Sequence, residues 1–300
     1  MSGGPDSLAL LLLAHAALPG RVAAATIDHG LRPEAAEEAA MVAHLCARLG
    51  VPHDTVAVTL EPGNTQDRAR DARYAALRRC FRARGIATFA TAHHADDQAE
   101  TLLMRLARGS GVTGLAGIRA RTIMRGTEAE GDSVVVRPLL DWRRAELAAI
   151  VAQAGIAPAH DPGNDDERFD RIRARRLLGR AGWLDARMVA RSAAHLQEAE
   201  EAIADVARSL YRSHVHEEGE VRWFHPGHAR AIEIECVGLI LHAFGADPGR
   251  SSIARMIDQL RGEGSASLGG VMARRASRAA GSDVCADAWK FEREPPRRSG

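Results

Sequence analysis

Short apolar runs alternate with longer periodic stretches along the first third of the chain. Residues 8–13 form an unbroken apolar run after Ser2-Gly3-Gly4-Pro5-Asp6-Ser7 and read as the buried part of a helix that starts in that polar segment. Residues 21–29, with Val-Ala-Ala-Ala-Thr-Ile at their centre, predict a buried strand, and 34–49 has helical spacing that ends at Gly50. The alternation continues with a short strand at 54–58, a helix at 65–84 stopped by Gly85, a strand at 86–92 and a helix at 95–107. Repeated βα units predict a parallel sheet with helices on both faces, an α/β doubly wound architecture whose ligands sit at the carboxyl ends of the strands. Farther along, 184–213 reads as one long helix, 220–224 as a short strand, 233–244 as a buried helix and 252–261 as another helix with Gly262 as its stop.

With 300 residues the chain can bury more than one core, and the pattern divides it into an α/β domain at 1–183, a connecting helix at 184–213 and a smaller helical or mixed C-terminal domain at 214–300. Residues 8–13 are too short to span a bilayer and no secretory pattern is present, so the expected location is the cytoplasm with no membrane partner. Cys46, Cys80, Cys236 and Cys285 are far apart and form no Cys-x-x-Cys pair, which argues against a disulfide framework, zinc ribbon or iron–sulfur site and for buried thiols. A formal net charge of +1 provides no global field for nucleic acid, but basic residues greatly outnumber acidic ones between Arg168 and Arg191, so a local basic surface is expected there.

The candidate chemistry begins at the opening loop. Two adjacent glycines permit positive φ and close backbone approach, Pro5 suits a first helical turn, and the free amides of that turn together with the Ser2 and Ser7 hydroxyls make an anion cradle. Asp6 would repel a phosphate unless a divalent cation lay between them, so it implies Mg²⁺ if phosphate binds. The same string also fits a simple helix cap after a glycine turn. No Gly-Lys-Ser/Thr follows, which excludes the Walker-type loop. Three polar clusters stand at predicted strand ends: Asp28 and His29 before Gly30; Asn64, Gln66, Arg70, Arg73 and Tyr74 at the start of a helix; and His93-His94-Ala95-Asp96-Asp97-Gln98-Ala99-Glu100. Each alone also fits an ordinary strand exit, solvated face or capped helix. The histidines and aspartates of the third lack further His or Cys at a structural zinc spacing.

In order, SGGPDS, IDHGLRPEA, ARDARYAAL, TAHHADDQAETLLMRLARGSGVTGLAGI, RPLLDWRRAEL and DPGNDD resemble the motifs of the tRNA(Ile)-lysidine synthase family, within the N-type ATP pyrophosphatases. The similarity runs from Met1 to about Leu178 and is most specific in HHADDQAET. It implies an adenine nucleotide alpha hydrolase-like sheet. A strand normally precedes such a loop, so the first strand is expected to be missing here, from a truncated or misplaced start. The resemblance further implies ATP and Mg²⁺ as cofactors and an isoleucine tRNA with a CAU anticodon and L-lysine as partners, with a homodimer among the expected assemblies. The implied reaction adenylates C2 of the wobble cytidine and lets lysine displace AMP. Alternatives are a non-catalytic tRNA-binding relative or another ATP pyrophosphatase acting on tRNA.

Carried over by motif, Ser2, Gly3, Gly4, Pro5, Asp6 and Ser7 hold ATP phosphates, Asp6 also holds Mg²⁺, and Asp28 and His29 meet adenosine. Asp6, Arg73, His93 and Asp97 are the implied catalytic residues. Glu100, Asp161, Asn164, Arg171, Arg173 and Arg175 are the implied contacts to lysine or tRNA, although Ile172 stands where the family often has Asn. Ser267-Leu268-Gly269-Gly270 and Arg293-Glu294-Pro295 are weakly similar to TLGG and REP markers that follow the family's catalytic domain.

Overall fold

The computed structural model describes residues 1–28, 34–58, 66–126, 131–159, 170–280 and 283–294, the side chains of 34–35, 66–70, 278–280 and 283–286 excepted. By packing, the chain forms two compact units, Met1–Gln197 and Glu198–Gly300, and the division falls inside one long helix.

In the first unit the order is α1 (Pro5–Ala17), β1 (Ala24–Asp28), α2 (Glu34–Leu49), β2 (His53–Ala57), α3 (Gln66–Ala83), β3 (Thr88–Ala90) and α4 (Ala95–Ala107). There follow α5 (Val112–Leu115), β4 (Arg121–Met124), β5 (Ser133–Val136), α6 (Arg144–Gln153), α7 (Asp170–Arg180) and α8 (Ala186–His214). β1 pairs in parallel with β2, Ala24 opposite His53, and β3 pairs in parallel with β5, Thr88 opposite Val134. β4 closes that second ladder antiparallel to β5, a hairpin the βα alternation did not predict. Among the described residues no ladder joins β1 to β3; Met1 lies beside β1, its nitrogen donating to the Ala25 carbonyl.

Side chains of a strand alternate between the sheet's faces, and β1 shows why the layer is buried on both. Ala24 packs with Leu8 and Leu11 of α1, Val42, Leu45 and Cys46 of α2 and Leu147 and Val151 of α6. Its neighbour Ala25 packs on the opposite side with Phe81 of α3, Phe89 of β3 and Val135 of β5. The Phe81 and Phe89 rings stack at 5.6 Å, so α3 covers both ladders with one apolar layer. This sandwich holds the carboxyl end of β1 and the entry to α1 and α4 on a rigid base.

The second unit contains the rest of α8, β6 (Val215–Glu218), β7 (Val221–Phe224), α9 (Arg230–Ala243), α10 (Arg250–Glu263), β8 (Ser265–Leu268), β9 (Val271–Ala280) and β10 (Asp283–Arg293). Its five strands form one antiparallel sheet in the order β6-β7-β10-β9-β8, covered by α9 and α10 through Phe224, Ile240, Leu241, Ile257, Leu260, Trp289 and Phe291. Only the 220–224 strand was expected; the unit is therefore mixed, not helical. The expected stop at Gly262 is corrected: α10 runs to Glu263, and Gly264, at φ +79°, takes the left-handed conformation that ends a helix. Cys46 and Cys236 are buried and Cys80 is half-buried; the Cys285 side chain lies outside the described residues. No described helix is long and apolar enough to cross a membrane.

Candidate active site

The opening loop curls on itself ahead of α1. Ser7 Oγ donates to the Gly4 carbonyl at 3.0 Å and lies 3.3 Å from both the Ser2 nitrogen and the Ser2 hydroxyl. Gly4 caps α1 without a side chain and Pro5 has no N–H to place, so the first-turn amides of Asp6 and Ser7 point out of the helix start with no side-chain cap on them. Gly3 sits at φ +71°, and a Cβ there would lie 3.2 Å from both Ala159 Cβ and Met41 Cε. Its carbonyl accepts the Ala159 amide at 2.9 Å, which ties the segment after α6 to the loop. Uncapped amides at a helix start are a geometry that can accept an anion. Oδ1 of Asp6 is buried and, among the described residues, has no hydrogen-bond partner. An unsatisfied buried carboxylate oxygen at a phosphate-type loop fits the hard-oxygen preference of Mg²⁺. No group of three or more described His, Cys, Asp and Glu side chains is arranged to hold a metal, so the protein would supply Asp6 and the phosphates the rest.

The other oxygen of Asp6 faces His94. This histidine is only 2 % exposed and caps α4: its Nδ1 accepts the Asp97 amide at 3.2 Å while its own amide donates to Asp97 Oδ2 at 3.1 Å. Its Nε2 lies 3.5 Å from Asp6 Oδ2 and 3.5 Å from Asp97 Oδ2. Burial disfavours the charged ring, but the hydrogen bond to Asp6 and the fields of Asp97, Asp6 and Asp96 outweigh it and raise its pKa. The cap needs a bare Nδ1 and favours the neutral ring, yet Nε2 donates in either form. His93, the residue carried over by motif, instead has its Nδ1 2.9 Å from the Thr91 hydroxyl. His94 was thus missed as a site residue; its position as cap before Ala95 was the available signal.

Asp97 and Glu100 continue along α4 and meet α7. Arg171 donates from Nη2 to Asp97 at 2.8 Å and from Nε to Glu100 at 2.8 Å, and Arg175 Nε donates to Glu100 at 2.6 Å. Glu100 is 1 % exposed, so its charge is held by these two guanidiniums. Burial works against the Arg175 charge, but Glu100, Asp97 and Asp6 together hold it more firmly protonated than usual. Arg173 faces outward and pairs with Asp170, which also binds Arg108. Ile172 points the other way and is buried, which explains an apolar residue between these arginines.

Asp96 turns from the cluster to Arg143, accepting from its guanidinium at 3.1–3.3 Å and from the Arg144 amide at 2.8 Å. Burial would raise the Asp96 pKa, but these donors outweigh it and hold the carboxyl below its ordinary value. Gln98 and Arg105 are structural: Gln98 exchanges hydrogen bonds with Ile118, and Arg105 donates to the Gly114 and Gly117 carbonyls.

Arg73 is exposed, finds no carboxylate partner among the described residues, and lies near enough to Met1 for its charge to act on the amino group there. Tyr74, from the same cluster, packs into the α3 layer instead, its ring 6.2 Å from Phe89. Asp28 ends β1, where its carbonyl accepts the Val58 amide. His29, Asn64, Asp161 and Asn164, and the side chains of Gln66 and Arg70, lie outside the described residues.

Residues 1–181 match the family model of the PP-loop domain. The chain is 43 % identical to a tRNA(Ile)-lysidine synthase of Novosphingobium aromaticivorans, over all of this chain and 89 % of that protein. It is 39 % identical to the tRNA(Ile)-lysidine synthase of Zymomonas mobilis, over 99 % of this chain and 88 % of that protein. Among solved structures, the U34-tRNA thiolase NcsA from Methanococcus maripaludis superposes with a TM-score of 0.53 at 16 % identity, covering 66 % of this chain and 70 % of that one, a likeness of fold alone. The converged loop and α4 cluster, the PP-loop match and the near end-to-end identity mean that this chain belongs to the tRNA(Ile)-lysidine synthase family of PP-loop ligases.

Proposed function

We propose that the chain joins the amine of L-lysine to C2 of the wobble cytidine in a CAU-anticodon isoleucine tRNA, using ATP, in the cytoplasm. The carrying observation is the meeting of Asp6 from the phosphate-type loop with His94, Asp97 and Glu100 on α4 and Arg175 on α7. The C2 carbonyl oxygen attacks the α-phosphorus, the bond to the bridging oxygen breaks, and pyrophosphate leaves. The lysine amine then forms a bond to C2, the C2–O bond breaks, AMP leaves with that oxygen, and the amine gives up a proton.

The amides of the loop and the Ser2 and Ser7 hydroxyls take the β and γ phosphates, and Arg73 takes the charge that develops at the α-phosphate. Asp6 would hold Mg²⁺, which when bound neutralises charge between the phosphates and this carboxylate. Asp28 and His29 bind adenosine. Asp97, with His93, handles the proton of the attacking amine, and Nε2 of His94 keeps the Asp6 and Asp97 carboxylates oriented. Glu100 is the candidate for the lysine ammonium; because Arg171 and Arg175 now occupy both its oxygens, lysine must displace one of them. Asp161, Asn164 and the outward Arg173 contact RNA, and residues 214–300 form an accessory domain that holds the tRNA.

The test is AMP release from labelled ATP with Mg²⁺, lysine and the tRNA. Release that needs all three, and that Asp6→Asn nearly abolishes while tRNA binding persists, is the expected result. Release independent of lysine and tRNA would overturn the ligase reading, and normal turnover of Asp6→Asn would overturn the metal role.

A further inference from the structure

Four tryptophans occur in the chain, and they are treated very differently. Trp289 is in the core of the second unit, whereas Trp183, in the turn between α7 and α8, is 85 % exposed. Single exposed apolar residues are ordinary, but an indole this bare gives up the burial that usually accounts for tryptophan. Its neighbour Leu184 turns inward onto Ala99, Ala186 and Val189, so the turn is anchored and Trp183 is held outward by it. The Leu184 amide donates to the Ala181 carbonyl at 2.9 Å and Asp185 caps α8 through the Arg187 amide at 2.6 Å, which fixes the backbone on both sides.

The turn is also joined to the active site. Arg143 bridges Asp96 of the α4 motif, at 3.1 Å, and Asp185, at 3.5 Å, two residues from Trp183. Trp142, the residue before that arginine, is exposed as well, and its carbonyl accepts the Ala95 amide at 2.9 Å at the start of α4. Two exposed indoles therefore flank, in the chain, the guanidinium and carboxylate that tie this surface to His94 and Asp97. Between residues 171 and 191 there are seven arginines and one aspartate. Arg171 and Arg175 turn inward to Asp97 and Glu100, and Arg173 and Arg187 pair with Asp170 and Glu146, which still leaves an excess of positive charge beside Trp183, suited to a polyanion and unsuited to an apolar protein partner.

We propose that Trp183, with Trp142 beside the same bridge, is a stacking platform for the unpaired bases of the RNA substrate next to the base that enters the site. This rests on the RNA substrate proposed above. A base reaching a catalytic cluster must leave its stack, and its neighbours then lose a stacking partner that an aromatic face can replace. Exposed aromatics among arginines perform that role in single-strand binding, the ring taking the base and the guanidiniums the backbone. The platform sets which nucleotides are held, not the bond-making step.

The experiment measures binding of the CAU-anticodon tRNA at fixed salt by wild type, Trp183→Ala, Trp183→Leu and Trp183→Phe, using intact tRNA and tRNA made abasic at either nucleotide flanking the wobble cytidine. Trp183→Ala and Trp183→Leu should weaken binding about tenfold, the order of one lost base–aromatic stack, while Trp183→Phe keeps most of it. One abasic position should weaken wild type and have little further effect on Trp183→Ala. Thermal melting should be unchanged, since the side chain is exposed, and ATP affinity likewise. Equal binding by all four proteins overturns the inference, as does an abasic loss that adds in full to the Trp183→Ala loss at both positions. A wild-type chain that binds no such tRNA overturns the substrate reading and this inference with it; wild-type binding with unaffected variants overturns this inference alone.

Discussion

Gly3 and Asp96 are the residues where a one-atom argument makes the sharpest demand. At φ +71° with two carbon atoms 3.2 Å from a would-be Cβ, Gly3→Ala is strained and crowded together. It should destabilise the fold by about 1–2 kcal/mol and weaken ATP binding in calorimetry; unchanged ATP affinity would remove the loop from the phosphate site. Asp96 titrates below its ordinary 3.8, since Arg143 and the Arg144 amide outweigh burial. Its contribution to stability is complete above 3.8 and lost as pH falls through the lower folded value. Urea midpoints followed from neutral pH into acid should therefore fall less steeply for Asp96→Asn than for wild type. The motif was readable as sequence, but which of two adjacent histidines faces Asp6 was not. That is set by the extended backbone at His94, φ −128° and ψ 179°, which puts its ring across the start of α4.

On α7, positions two apart do different things. Arg175 neutralises the buried Glu100, so Arg175→Met should cost about 2 kcal/mol, between the values for exposed and buried pairs, and be visible in thermal melts. Arg173 pairs with an exposed aspartate, so Arg173→Ala should leave stability within about 0.5 kcal/mol while weakening tRNA binding and lowering its salt slope. An unchanged slope would show that Arg173 does not meet phosphate. The sequence identified the arginines but not this division, because helix rotation against α4 decides which of them turns inward. The bounds of α2 and α4 matched the reading from periodicity, since a long amphipathic segment repeats its signal. β9 and β10 did not: Ala and Arg fill β9, charged residues break up the apolar pattern of β10, and β10 takes its second partner from distant sequence, Trp223 lying opposite Lys290.

At the scale of the molecule, the second unit has its own closed core, from Ala207 to Phe291. A fragment of residues 186–300 should unfold cooperatively in urea with Trp289 emission as the probe; a featureless transition would mean that its core depends on the first unit. The sequence by itself determined the repeated βα order of the first unit, the glycine turn that opens α1 and the family motifs, because periodicity, glycine conformation and motif spacing are local properties. Only the tertiary structure decided the antiparallel sheet of the second unit and the grouping of Asp6, His94, Asp97, Glu100 and Arg175. It also decided that Trp183 stays bare while Trp289 is buried. The joining of β7 to β10 that makes one sheet of two local sets of strands, the polar grouping and the exposure of Trp183 depend on which distant segments pack together, and no window along the chain contains that information.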